Sequence, residues 1–167
     1  MPRATLLLLA TLGSLLPLAA AQGTSADIAT AQAKQLQELH DRAAAIVRDE
    51  DARAEHPLCP TAANNLALGI CEGKETAATD ANETKLVRTL GLFYRVHLQY
   101  AGTPAKPGPL SFDGAEATWH LFRDQVCQSV ADQYSGGTAQ PSIETACRIN
   151  ITRHHIDELW AVYKDID

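Results

Sequence analysis

The chain has 167 residues, 46% hydrophobic, 5% aromatic and 20% charged, with 14 Lys+Arg against 20 Asp+Glu. That length holds one domain with a modest core, and 28 alanines with few aromatics favour close-packed helices over a β-sandwich. A net charge of −6 argues against the phosphate-neutralising surface of a nucleic-acid binder.

The first residues read as an export signal. Arg3 supplies a positive start, Thr5 to Leu18 is apolar, and Ala19-Ala20-Ala21 places small residues before a cleavage point at Gln22. The apolar run is too short to span a bilayer comfortably, so no membrane anchor is expected after cleavage. Removal of these 21 residues, Arg3 among them, leaves 146 residues and one positive charge fewer. The expected plan is a signal peptide over 1–21, an N-terminal helical arm over 22–55 and a helical domain over 56–167, in a secreted or periplasmic protein.

The exported part reads as helices. From Ser25 to about Arg53, Leu36, Leu39, Ala43, Ile46 and Val47 follow helical spacing. Whether this arm packs or hangs loose is left open by its many polar residues. The run Asp49-Glu50-Asp51 at its end reads as a solvated charge cluster. His56-Pro57-Leu58-Cys59-Pro60 breaks the helix. Asn64 is a candidate N-cap for a short helix ending near Cys71, with Gly73 as an interruption, and a long helix is expected from about Glu75 to Tyr100. On it, Leu86, Leu90, Phe93 and His97 share one face. Gly102 to Asp113, with three prolines, reads as an exposed loop. Asp113-x-x-Glu116 has the form of a capping box, and Trp119, Phe122, Val126 and Val130 are expected to form an apolar stripe. Ser135-Gly136-Gly137 stops that helix, and Pro141 suits the first turn of a last helix, where Ile149, Ile156 and Tyr163 recur every seven residues with Leu159 nearby.

In an exported chain the four cysteines are expected in disulfides. Residue 137 is midway between Cys127 and Cys147, so two antiparallel helices folded about Gly137 bring both to one level. Cys59–Cys71 follows by elimination, provided that the chain from Cys59 to Ala63 doubles back; eleven continuous helical residues would separate the ends by about 16 Å. The fold class is thus all-α: a small disulfide-stapled bundle built on antiparallel helical hairpins.

Catalytic patterns are absent from the sequence. There is no G-x-S-x-G elbow, phosphate-binding glycine loop, CxxC or HxxxH pair. His154 and Glu158 are spaced i, i+4, and His155 with Asp157 or Glu158 is a weaker pair; a ligand-binding role for His154, His155 and Glu158 is the minor alternative, since two ligands on a polar face do not make a metal site. No enzyme, metal or cofactor is expected.

Trp119-His-Leu-Phe122-Arg123-Asp124-Gln-Val-Cys127 resembles the W-x-x-[YF]-R-[DN]-x-x-C signature of the LprI-like lysozyme inhibitor domain. Gly136-Gly137-Thr138, Cys147, Thr152-Arg153 and Leu159 are similar in outline to its tail, and Cys59, Ile70-Cys71, Glu75, Ala77, Ala78 and Asp80 to its first half. Ala67 replaces a frequent family Glu, and Thr76 and Thr79 stand where the family usually has Leu. The resemblance spans about Cys59 to Tyr163, and its shared residues read as structural: Trp119, Phe122 and Arg123 as locks of a helical hairpin, with Arg123 over or beside the indole and bonding a helix C-terminus or a carboxylate; a partner-contacting role for Trp119 or Arg123 is the alternative. Asp124 and Arg153 read as surface or buried-pair residues. The resemblance implies a non-catalytic protein partner, a basic C-type lysozyme or similar muramidase, to which an acidic chain would be steered electrostatically. The alternative is an envelope interaction or scaffold domain with no lysozyme target.

Overall fold

The computed structural model describes residues 25–102 and 111–166. The signal peptide and most of the proline-rich loop lie outside the described residues. Among those described there are four helices and no strand: α1 (Ser25–Ala54), α2 (Asn65–Tyr100), α3 (Phe112–Asp132) and α4 (Gln140–Tyr163). Helix α2 packs along α1 and α4, and α3 packs chiefly on α4. No described helix is long and apolar enough to cross a membrane.

Helix α1 packs on the body of the protein. Leu39, Ala43, Val47 and Glu50 are buried at steps of four, four and three, one continuous face. The reading of Asp49-Glu50-Asp51 as a wholly solvated run is therefore corrected at its centre. Asp49 and Asp51 are exposed, but Glu50 is only 2% exposed. It lies three residues after Val47, so the core stripe carries it inward.

Asn64 caps α2 as its side chain suggests, accepting a hydrogen bond from the Ala67 amide at 2.9 Å. The expected break at Gly73 does not occur, because α2 runs unbroken through Gly69 and Gly73. An interior glycine costs about 1 kcal/mol, and the surrounding ties offset it. Cys71 is bonded to Cys59, and Glu72 accepts a hydrogen bond from Ser142 on α4 at 2.9 Å. Farther along, Leu86, Leu90 and Phe93 are buried on the expected face.

Helix α3 is capped by Ser111, whose Oγ accepts from the Gly114 amide at 3.1 Å. Glu116 does not close a capping box with Asp113; it is buried and faces α4. The expected apolar stripe is also displaced. The buried positions are Glu116, Arg123, Cys127 and Ala131, whereas Phe122 is 56% and Leu121 64% exposed. The disulfide explains this register. Cys127 must face α4, and at 100° per residue Phe122 lies about 140° away around the helix. The expected lock by Phe122 is thereby corrected: Phe122→Ser should change unfolding free energy by less than about 1 kcal/mol in urea titrations, whereas a locking residue would lose about 3 kcal/mol or more.

The α3–α4 turn needs its glycines. Gly136 has φ +83°, and a Cβ on Gly137 would lie 3.2 Å from the Tyr134 carbonyl oxygen. Pro141 occupies the first turn of α4, where its missing amide hydrogen is not required. Ile149, Ile156 and Leu159 are buried along α4 as expected.

Both expected disulfides form, Cys59–Cys71 and Cys127–Cys147, with Cα separations of 5.9 and 5.5 Å. The chain doubles back at Cys59, which has φ +52° and whose carbonyl accepts from the Ala62 amide. The apolar centre is Ala43, Val47, Leu86, Leu90, Ile156 and Leu159, with Phe112, Trp160 and Tyr163 packed around it. Each large aliphatic side chain there contributes about 1.5–3 kcal/mol by burial.

Candidate functional site

Two polar clusters are built into this core, and they contain the most unusual chemistry of the molecule. The first lies where α2, α3 and α4 meet. Glu116 on α3 and His155 on α4 are both buried, with His155 Nε2 2.8 Å from Glu116 Oε2. Trp119 stacks on the His155 ring at 3.7 Å between centroids and 10° between planes, which fixes the imidazole's orientation. From α2, Glu83 enters the same space at 2% exposure. His120 Nε2 lies 3.3 Å from Glu83 Oε1. That distance suits an ion pair but the alignment is not that of a hydrogen bond, so Glu83 Oε1 is buried with no hydrogen-bond partner. Burial pushes the Glu83 carboxyl above its ordinary range; the histidines 120 and 155 and Arg123 oppose this, while Glu116 adds to it.

Arg123 borders this cluster. Its guanidinium carbon is 5.4 Å from the Trp119 ring centroid, and Nη1 donates to Asp80 and Thr152 while Nε donates to Asp124. Asp124 also accepts from Arg148 at 2.8 Å. Arg123 thus stands beside the indole, and of its two candidate partners, a helix C-terminus or a carboxylate, it bonds carboxylates.

The second cluster centres on Glu50. Its carboxylate accepts from Thr79 at 2.8 Å, from Asn82 at 2.9 Å and from Arg153 at 2.9 Å. Arg53 Nε lies 3.6 Å away, and Glu75 pairs with Arg53 at 2.7 Å. Three helices are joined through one side chain. Thr79, where the resembled family usually has Leu, is fully buried as a donor to this acid. Arg153, expected as a surface or buried-pair residue, is partly buried and pairs with Glu50 at 2.9 Å.

The remaining sequence candidates fall elsewhere. Gly136 and Gly137 form the turn, Leu159 packs in the core, and the four cysteines form two staples with no free thiol. His154 and Glu158 are exposed on α4 and are not part of either cluster. Glu83 carries no signal in the sequence, Glu50 and Glu116 are expected there in other roles, and His155 is expected only as a weak partner of Asp157 or Glu158. The available signal was register. Residues 116, 120, 123 and 127 recur at steps of four, three and four, and the disulfide obliges Cys127 to face inward.

No solved structure matches the chain. An uncharacterized protein of Rhizobium meliloti (strain 1021) is 26% identical over 112 residues, which are 65% of this chain and 81% of that protein. The family model described as Lysozyme inhibitor LprI matches residues 18–159, a span that includes α1, both disulfides and both polar clusters. With that match over most of its length, the chain belongs to the LprI lysozyme inhibitor family.

Proposed function

We propose that this protein is exported and binds a basic, C-type-like lysozyme, blocking it without catalysis of its own. The family match over residues 18–159 carries this reading. Two disulfides suit an oxidising compartment outside the cytoplasm. The net charge of −6 suits a basic partner. Exposed Asp51 on α1 and Asp157 on α4 add a local acidic patch. Burial raises the Asp157 carboxyl, and repulsion from Asp51 raises it further, which a cationic partner would relieve.

The test is clearing of a bacterial cell-wall suspension by a C-type lysozyme, with binding followed by surface plasmon resonance. Micromolar protein should slow clearing at low salt. The association rate should fall roughly tenfold or more as salt rises, since steered association is screened within about 10 Å at 0.1 M salt. Asp51→Asn/Asp157→Asn should slow association more than it speeds dissociation. Neither binding nor inhibition at low salt would sink the reading and leave the scaffold alternative.

A further inference from the structure

The cluster between α2, α3 and α4 resembles a ligand set more than a simple ion pair. Glu83, Glu116 and His155 each offer a ligand atom, and these atoms lie within 4.8 Å of one another. All three residues are buried. We propose that Glu83, Glu116 and His155, with His120 as fourth ligand, bind one Zn2+ ion. This goes beyond lysozyme binding and does not depend on it.

The stoichiometry of donors fits. Two carboxylates and two imidazoles form a mixed nitrogen–oxygen tetrahedron, which suits zinc, whereas calcium and magnesium prefer all-oxygen shells. At zinc–ligand distances of about 2.0–2.2 Å the edges of a tetrahedron are about 3.4 Å. The His120–Glu83 pair already stands at 3.3 Å and the His155–Glu116 pair at 2.8 Å, so side-chain adjustments draw the set together. Charge balances as well: two buried carboxylates are neutralised by one divalent cation.

The surroundings support the same reading. Glu83 Oε1 is buried without a hydrogen-bond partner, a state that native proteins rarely leave unexplained. Arg123 is a fixed cation that acts on Glu83, but its hydrogen bonds go to Asp80, Asp124 and Thr152. Stacking on Trp119 holds the His155 ring in place, the kind of support that metal-ligating imidazoles receive. The His120 side chain is 42% exposed and provides a solvent-facing rim through which an ion enters.

The experiment uses the untagged full chain with both disulfides formed, stripped with chelator, and Zn2+ as the probe. Calorimetry should show one ion per chain at micromolar affinity or tighter, and Trp119 fluorescence should change in step because its ring lies on His155. Loss of an outer-shell partner alone weakens metal sites by about 10–100-fold. Glu83→Gln and His155→Gln should therefore each weaken zinc binding at least tenfold, and Glu83→Gln should abolish the zinc-induced rise in melting temperature. His120→Ala, at the exposed rim, should also weaken binding and keeps the test decisive if a core variant misfolds. His154→Ala/Glu158→Gln should bind like the wild type. No saturable binding at micromolar zinc overturns the proposal. So does wild-type affinity in both Glu83→Gln and His120→Ala, or a loss confined to His154→Ala/Glu158→Gln.

Discussion

Replacing Glu50 with alanine should lower the unfolding free energy by about 3–5 kcal/mol, the range for breaking a buried ion pair from one side. The magnitude follows from what would be left behind. Thr79 is a buried donor that would lose its acceptor, Asn82 would keep, as donor, only its bond to Asp49, and Arg153 would keep a largely buried charge with Glu75 3.9 Å away. Glu50→Gln keeps the shape and one acceptor, but sets an amide against Asn82 or Arg153, and should cost about 1–3 kcal/mol. Acid should narrow that gap. Burial works to raise the Glu50 carboxyl, but hydrogen bonds from Arg153, Thr79 and Asn82 and the charge of Arg53 outweigh it and hold it below the ordinary 4.5. A folded value below the unfolded one adds stability that is complete above pH 4.5 and is lost as pH falls through the folded value. Urea unfolding of wild type and Glu50→Gln should differ most near neutral pH and converge in acid. A gap that stays constant into strong acid would show that the carboxylate charge has no part in it.

Removing the Cys127–Cys147 bridge as the double alanine variant should cost about 3.3 kcal/mol from chain entropy alone, given a sequence separation of 20. Cys127 is fully buried, so loss of its sulfur also leaves unfilled space beside α4. The Cys59–Cys71 bridge closes a separation of 12, worth about 2.8 kcal/mol on the same model. It ties a surface turn to the first turns of α2 instead of joining two long helices. The Cys127→Ala/Cys147→Ala variant should therefore show the lower denaturant midpoint of the two, measured with unchanged far-UV circular dichroism. The reverse order would contradict the place given to the α3–α4 hairpin in the core.

Much of the frame was legible in the chain. Asn64 marks the start of α2 because its side chain mimics the missing acceptor of a first turn. The turn at Gly136 takes a left-handed backbone that a residue without a Cβ adopts most readily. The midpoint of Cys127 and Cys147 falls in that same turn, and so their pairing was readable. The W-x-x-F-R-D-x-x-C segment carries the family resemblance. The core stripes of α2 and α4 were readable because Leu86, Leu90, Phe93, Ile149 and Ile156 are apolar at helical spacing.

The candidate site was not readable in the same way, since hydropathy says nothing when a charged residue occupies an inward position. Glu50, Glu83, Glu116 and His155 look like ordinary polar residues until neighbouring helices cover them. Gly73 looks like a break until a disulfide and Ser142 hold its helix straight. Sequence by itself determined the all-α class, the cap at Asn64, the α3–α4 turn, the cysteine pairing and the family, because those depend on local backbone chemistry and short spacings. The tertiary structure alone decided which face of α3 turns inward and which acids lose water. Those outcomes depend on contacts between residues far apart in the chain, such as Glu50 with Arg153, 103 positions away, and Glu116 with His155, 39 positions away.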